Sequence, residues 1–452
     1  MKQFDLAHDK LSVLLSKYIF SAIVSMLISA VHQIIDTVYI GRCIGSEGLA
    51  AVNIVMPVIS WSWAFIILFA TGGSTLFAIE LGKKNTDNAL NYFYITIFVT
   101  VVIDIVIMAA GILFITPLCM ALGCTKDALP YAVPYLKTQL YFVPIVSFNA
   151  IMSRFARNDK NPQVVSYSAA AAAAVNIILN YVFIVTLNWG MMGASLATGF
   201  AQTVGAIVLI SHFGRKNISL NLKIKNFSGK AEALLNISKT GIPSFLAEGS
   251  FAFTLIFFNR AIREFAGTQE IAAMGIMFTL INFLYLMING VAMATQPIIG
   301  YNHGAENFER VWKTLKLATL VALALGMLTT ACGELCAEFM VRLINDTNED
   351  LIAVATMVCK INFLTMPITA ISGCVQVYYQ SISRTFTATL LTVLKNAVFV
   401  LLSLFILKDF FGLNGVWLTY PVSDIISAMM YLACFFRIKN DCNLKAAQAQ
   451  TI

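Results

Sequence analysis

The sequence predicts an all-α integral membrane protein with about twelve transmembrane helices arranged in two six-helix lobes. Of its 452 residues, 59% are hydrophobic and 12% are charged, and the mean hydropathy is +0.79. Soluble domains are roughly half apolar and a quarter charged, so this composition is typical of a membrane protein. Two further observations support the prediction: a series of long apolar segments and an internal repeat.

The apolar segments are long enough to cross a bilayer as helices, which takes about 20 residues each. Most lack the period-two alternation of membrane barrels, whose strands are also only about ten residues long. The first segment has no clear A-x-A cleavage site, so we expect it to remain as a helix rather than be removed as a signal peptide. We predict spans at 16–42, 50–79, 92–118, 131–155, 163–186, 191–213, 238–260, 271–299, 314–337, 355–380, 386–408 and 414–436.

The repeat becomes visible when the sequence is aligned with itself at an offset of about 222 residues, as from Ser16 to Ser238. Six spans per repeat is an even number, so both repeats begin on the same side of the membrane, as in the parallel repeats of many secondary transporters. We expect an amino-terminal lobe at 1–213 and a carboxy-terminal lobe at 238–452. The polar segment 214–237 is predicted as a cytoplasmic linker or an interfacial amphipathic helix. Collinear matches include Ala50 with Ala272, Gly82 with Gly304, Asn85 with Asn307, Gly111 with Gly333, Gly190 with Gly412 and Arg215 with Arg437.

Basic residues in the short loops predict the orientation, because cytoplasmic loops are rich in Lys and Arg. We therefore expect a multi-pass protein of the plasma (inner) membrane with both termini in the cytoplasm. This topology also explains the net charge of +7 without nucleic acid as a partner. The basic residues on the predicted cytoplasmic side include Lys2, Lys10, Lys17, Lys83, Lys84, Arg154, Arg157, Lys160, Arg310, Lys313, Arg384, Arg437 and Lys439.

Motifs of enzymes and of nucleotide-driven pumps are absent from the sequence. It has no G-x-x-x-x-G-K-[ST], no H-E-x-x-H and no G-x-S-x-G, and its nine cysteines form no C-x-x-C pair. We therefore expect neither an enzyme nor a cofactor. Any transport would then be either driven by an ion gradient or passive.

Asp36 lies inside the first apolar segment, where an ionised carboxylate is costly and usually functional. Span 5 has Asn176 and Asn180 four residues apart, hence on one helix face, and span 6 has Thr198. Together the four side chains could bind a cation, either as a proton site at Asp36 or as a Na⁺ site involving Asp36 and Asn180. The alternative is that the amides and the hydroxyl only hydrogen-bond between helices.

Other ionisable groups lie within predicted spans. Glu248 in span 7 is a second candidate for ion coupling or for binding a cationic substrate, with a neutral, hydrogen-bonded carboxyl as the alternative. Asp104 and Asp424 could instead form buried charge pairs with Lys360 or Lys395.

Several stretches resemble the multidrug and toxic compound extrusion (MATE) family, and the resemblance runs from about residue 10 to 437. They are DTVYIGRCIGSEGLAAVNIVMPV, ARNDKNPQ, NIILNYVFIV, GMMGASLAT, GIPSFLAE, YNHGAENFERV and QSISRT, in this order along the repeat.

The resemblance implies two six-helix lobes around a central cavity and export of mostly cationic, amphipathic compounds in exchange for Na⁺ or H⁺. By motif position, Asp36 matches the family's span 1 carboxylate, and Asn176, Asn180 and Thr198 match its amino-lobe cation site. Many members have Asp where this chain has Asn180, so the site here has one carboxylate fewer. Glu248 falls where some branches have a span 7 glutamate.

We therefore expect a cation-coupled multidrug efflux antiporter that works by alternating access. Its partners would be small organic substrates and the lipid bilayer, and we expect a monomer. One alternative is a flippase for a lipid-linked oligosaccharide, from the same larger group, which would have a strongly cationic cavity. Another is a passive channel or a membrane receptor.

Overall fold

The computed structural model of the protein describes residues 5–126, 128–213, 231–265, 268–345 and 348–450. Within these ranges the chain is almost entirely helical and contains no strand. The predicted all-α fold is confirmed.

The chain divides into two compact units. The first comprises Met1–Asp9 and Phe20–Phe245, and the second comprises Lys10–Ile19 and Leu246–Ile452. The helices up to the division are α1 (Leu11–Cys43), α2 (Ser46–Gly82), α3 (Thr86–Leu113), α4 (Ile115–Ala121), α5 (Leu129–Asn158), α6 (Gln163–Asn180), α7 (Gly190–Phe213) and α8 (Ala231–Phe265), which contains the division at Phe245.

The second unit continues from α8 to the end of the described chain. Its helices are α9 (Thr268–Gly304), α10 (Phe308–Arg342), α11 (Glu349–Phe363), α12 (Met366–Ser381), α13 (Thr385–Val393), α14 (Val400–Phe411) and α15 (Leu413–Gln450).

Each of the twelve predicted spans coincides with a helix or a broken helix of the described chain. Among the described residues, nine helical segments are long and apolar enough to cross a membrane, and α11 with α12, bent by 50°, form a tenth candidate. The predicted spans at 131–155 and 238–260 correspond to α5 and α8, whose 30 and 35 residues exceed the length that a span needs.

The predicted linker lies partly outside the described residues, which resume at Ala231. Residues 231–237 form the first turns of α8. The lobe boundaries at 1–213 and 238–452 stay a prediction.

Local backbone geometry recurs at the repeat offset. Lys84 and Glu306 have left-handed φ angles of 61° and 58°, a conformation uncommon for residues other than glycine. The residues that follow them, Asn85 and Asn307, both cap a helix, each accepting a backbone N–H at 3.2 Å. Matching turns at matching positions support a duplication.

A π-helical turn interrupts the fifth span of each repeat. In the first repeat it covers Tyr181–Thr186, directly after α6, and in the second it covers Leu394–Phe399, between α13 and α14. Such turns change which side chains face a neighbouring helix and frequently occur at functional sites. Each turn adjoins a group of buried polar side chains.

Packing in the first unit joins α2, α3 and α5 through aromatic rings. Phe155 packs edge-on against Phe77 and Phe93, with ring centroids 5.0 and 4.8 Å apart. Edge-to-face pairs at this separation are favourable. Of these helices, α5 also packs against α6 and α7, which carry most of the candidate site.

Candidate functional site

Asp36 lies on α1 with its side chain 22% exposed, so it is neither sealed off nor freely solvated. Both of its carboxylate oxygens accept hydrogen bonds from other helices. Asn180 Nδ2 on α6 donates to Oδ1 at 2.5 Å, and Thr198 Oγ1 on α7 donates to Oδ2 at 3.2 Å. The single carboxylate thus joins three helices.

Asn176 completes the network and is fully buried, as is Asn180. Asn180 Nδ2 also donates to Asn176 Oδ1 at 2.9 Å, as the i, i+4 spacing on α6 predicts. Asn176 Nδ2 donates to Thr198 Oγ1 at 3.4 Å. The structure therefore brings together the four side chains of the predicted cation site.

Small residues allow these helices to approach closely enough for short side chains to meet. Gly193 on α7 lies against Phe183 in the first π turn, where a Cβ would come within 3.1 Å of that residue. Gly199, next to Thr198, lies against the Phe142 ring of α5. Close helix approach through glycine and alanine is common in membrane proteins.

His32 is a member of the site that the sequence analysis missed. Its Nε2 lies 3.3 Å from Asp36 Oδ2, one helical turn away on α1, and the residue is 8% exposed. Tyr135 on α5 also lies within electrostatic range of Asp36. The i, i+4 spacing from Asp36 was the available signal for His32, because an imidazole one turn from a buried carboxylate faces the same side of the helix.

Asp36 supplies the carboxylate of this network, and the hydrogen bonds from α6 and α7 depend on its charge. Neutralising the carboxylate weakens the hydrogen bonds that it accepts from Asn180 and Thr198, because bonds to charged groups are about twice as strong as bonds between neutral groups. No group of three or more His, Cys, Asp or Glu side chains in the described ranges is arranged to hold a metal ion.

The remaining candidates lie elsewhere. Glu248 is an exposed residue of α8. Asp104 is 1% exposed on α3 and faces Ser147 of α5. Lys360 is an exposed residue of α11.

In the second unit, Lys395 and Asp424 come together. Lys395 Nζ in the second π turn lies 3.7 Å from Asp424 Oδ1 on α15, with side chains only 13% and 11% exposed. Thr365 Oγ1, at the bend between α11 and α12, donates to Asp424 Oδ2 at 3.0 Å. Of the possible charge pairs named from the sequence, the structure forms this one.

Comparison with known proteins places this arrangement in a family. The family model MatE matches residues 21–182 and 243–406, most of both repeats. The chain belongs to the MatE family. Membership places it among transporters rather than enzymes, and confirms the family that the sequence motifs predicted.

Individual MatE-like proteins are similar over nearly the whole chain. The multidrug export protein MepA of Staphylococcus haemolyticus (strain JCSC1435) is 24% identical over 417 residues, which cover 92% of this chain and 91% of MepA. A solved structure of a MATE protein in complex with MaL6 has a TM-score of 0.92 at 20% identity, covering 97% of this chain and 99% of that one. The outward-facing conformation of a multidrug resistance MATE family transporter of the MOP superfamily has a TM-score of 0.91, also at 20% identity, over 97% and 99% of the two chains.

Proposed function

We propose that the protein exports organic, cationic and amphipathic compounds across the plasma (inner) membrane in exchange for H⁺ or Na⁺, by alternating access. Membership in the MatE family and similarity to multidrug export proteins support the export of several compounds. A monomer without a cofactor, with both termini in the cytoplasm, is part of the same proposal.

The observation that carries the proposal is the set of hydrogen bonds from α6 and α7 to the Asp36 carboxylate on α1. An ion can drive a conformational change only if it binds the two conformations differently. An ion at Asp36 neutralises the charge to which Asn180 and Thr198 donate, so it changes the relative stability of arrangements in which these three helices meet. Substrate affinity then depends on ion occupancy, which is the linkage that exchange requires.

The test uses purified protein in liposomes loaded with ethidium, a fluorescent organic cation, with H⁺ and Na⁺ gradients imposed separately. Wild type is compared with Asp36→Asn and with Asp104→Asn, which removes another buried carboxylate of the first unit. We expect one of the two gradients to drive ethidium movement in wild type and in Asp104→Asn. In Asp36→Asn, that movement is lost.

Other outcomes assign other functions. Full gradient-driven transport in Asp36→Asn would remove this residue from the mechanism. Ethidium flux that is independent of both gradients would indicate a passive channel. Absence of flux in folded protein, with binding of a lipid-linked oligosaccharide, would favour a flippase, whereas binding of ethidium without flux would favour a receptor.

A further inference from the structure

The two repeats have different side chains at the positions that form the ion site. At the offset of 222 residues, Asp36 corresponds to Phe258 and Thr198 to Tyr420. The correspondence also holds in space, because Phe258 and Tyr420 are in contact, with ring centroids 5.0 Å apart and an interplanar angle of 9°. Where the first unit joins a carboxylate to a hydroxyl, the second unit stacks two aromatic rings.

A third ring extends this aromatic group. Phe278 on α9 lies edge-on to both other rings, with centroids 5.6 Å from Tyr420 and 6.2 Å from Phe258. Aromatic faces attract organic cations, which lose little hydration on binding. Phe258 is fully buried beneath Tyr420, whereas Tyr420 and Phe278 are half-buried and keep accessible ring surface.

A carboxylate lies one helical turn from these rings. Asp424 follows Tyr420 by four residues on α15 and therefore shares its helix face. Thr365 Oγ1 donates a hydrogen bond to Asp424 Oδ2 at 3.0 Å, whereas Asp424 Oδ1 lies 3.7 Å from Lys395 Nζ. Charge-assisted N–H···O hydrogen bonds are about 2.7–2.9 Å long, so the Lys395 contact is a loose ion pair.

Lys395 has a second partner besides Asp424. It lies in the π turn, and its Nζ is 5.9 Å from the centroid of the Tyr431 ring, a second partner for a cation. Tyr285 on α9 lies within electrostatic range of both Asp424 and the exposed Glu248. Two acidic side chains of the second unit, Glu248 and Asp424, thus lie near Tyr285.

Helix packing does not require this charge pair. The position equivalent to Asp424 in the first unit is Gln202 on α7, which accepts a hydrogen bond from Asn149 Nδ2 at 2.8 Å. A neutral amide pair thus joins the helices there. Buried ion pairs give little stability relative to uncharged replacements, so their presence needs another explanation.

We propose that Asp424, with the rings of Tyr420 and Phe278, binds the organic cation, and that Lys395 is an internal cation that the substrate displaces from Asp424. The first unit then binds the small ion, at Asp36, and the second unit binds the organic cation, at Asp424. This inference rests on the proposed export of organic cations and names the residues that recognise them.

The test is equilibrium binding of tetraphenylphosphonium to purified protein in detergent, without any gradient. Asp424→Asn is expected to weaken binding at least tenfold because the counter-charge is lost. Lys395→Met is expected to strengthen binding severalfold because the competing ammonium is gone. The matched control Lys360→Met removes an exposed lysine of the same unit and leaves affinity unchanged.

A double variant separates binding from folding. Lys395→Gln combined with Asp424→Asn leaves no buried charge unpaired, so it is expected to elute as a single species with a melting temperature near that of wild type. It should nevertheless bind tetraphenylphosphonium as weakly as Asp424→Asn.

Two results would overturn the inference while leaving the proposed function intact. One is wild-type affinity in Asp424→Asn or in the double variant. The other is weaker binding in Lys395→Met, which would show that the Lys395–Asp424 pair stabilises the structure and that Lys395 does not compete with the organic cation. Wild-type protein that binds no tetraphenylphosphonium would instead contradict the proposed export of organic cations itself, and this inference with it.

Discussion

At the scale of single residues, the Asp36 site depends on two side-chain donors, Asn180 Nδ2 and Thr198 Oγ1. Asn180 is fully buried and donates to both Asp36 and Asn176. A buried acceptor that loses its donor is destabilised by about 1–3 kcal/mol. The network is therefore sensitive to loss of one amide.

Asn180→Ala removes the shared donor, so we expect a loss of about 1–3 kcal/mol of stability and a reduced rate of gradient-driven transport. The apparent melting temperature in detergent and ethidium transport in liposomes measure the two effects. Asn53→Ala, which changes an exposed asparagine of α2, serves as the control and should match wild type. Equal melting temperatures for the two variants would show that the Asn180 amide is not holding the site together.

His32 offers a second residue-scale prediction, because it faces Asp36 from the same helix at 3.3 Å. His32→Leu keeps a side chain of similar size but removes the ring nitrogen that faces Asp36. We expect transport to slow roughly tenfold, as a loss of about 1.4 kcal/mol of transition-state stabilisation would produce. His32→Gln keeps a donor and should retain most of the activity. Initial rates of ethidium movement compare the two. Equal rates in both variants would mean that His32 only fills space.

At the scale of elements, α2 and α8 approach so closely in the first unit that glycine is required on both. A Cβ on Gly72 would collide with the backbone carbonyl of Ile237, and one on Gly241 with that of Leu68. Backbone atoms cannot move aside as flexible side chains do. The close approach follows from small residues at the helix contact.

Gly241→Ala is therefore expected to destabilise the protein by more than about 2 kcal/mol, since overpacking forces backbone shifts. Gly249→Ala on the same helix is the matched control, because its Cβ meets no atom within 4 Å. Alanine has the higher helix propensity, so the control should be neutral or stabilising by up to about 1 kcal/mol. Yield of monodisperse protein and melting temperature report both. A control as unstable as Gly241→Ala would refute the packing argument.

The sequence predicted the helices better than their interruptions. Hydropathy located the spans because the bilayer requires a length and an apolar composition. The two π turns were not predicted, because a shift in backbone hydrogen bonding leaves no trace in composition. Asp36, Asn176, Asn180 and Thr198 could be grouped because polar residues in spans are rare. His32 escaped notice because a histidine in an apolar segment stands out less than a carboxylate does. The choice of Lys395 over Lys360 as the partner of Asp424 needed distances.

At the scale of the whole molecule, duplication explains both what the repeats share and where they differ. Turns such as those at Lys84 and Glu306 recur because each repeat must begin the same helices. Interior side chains diverge, as Asp36 and Phe258 show. A duplicated fold thus carries a polar network around Asp36 in one repeat and stacked aromatic rings at the equivalent positions of the other.

Topology gives the last prediction, because the distribution of basic residues predicts that both termini lie in the cytoplasm. Cys43 is exposed at the end of α1, and Lys84 directly follows α2, so one span separates them. In a variant that retains Cys43 as its single cysteine, we expect a membrane-impermeant maleimide to label intact bacterial cells. In a cysteine-free variant carrying Lys84→Cys, labelling should require permeabilised cells, and green fluorescent protein fused after Ile452 should fluoresce. The opposite labelling pattern would invert the topology and place the basic loops outside, against the charge rule from which the orientation was inferred. Labelling at both positions in intact cells would mean that Cys43 and Lys84 are not separated by a membrane span.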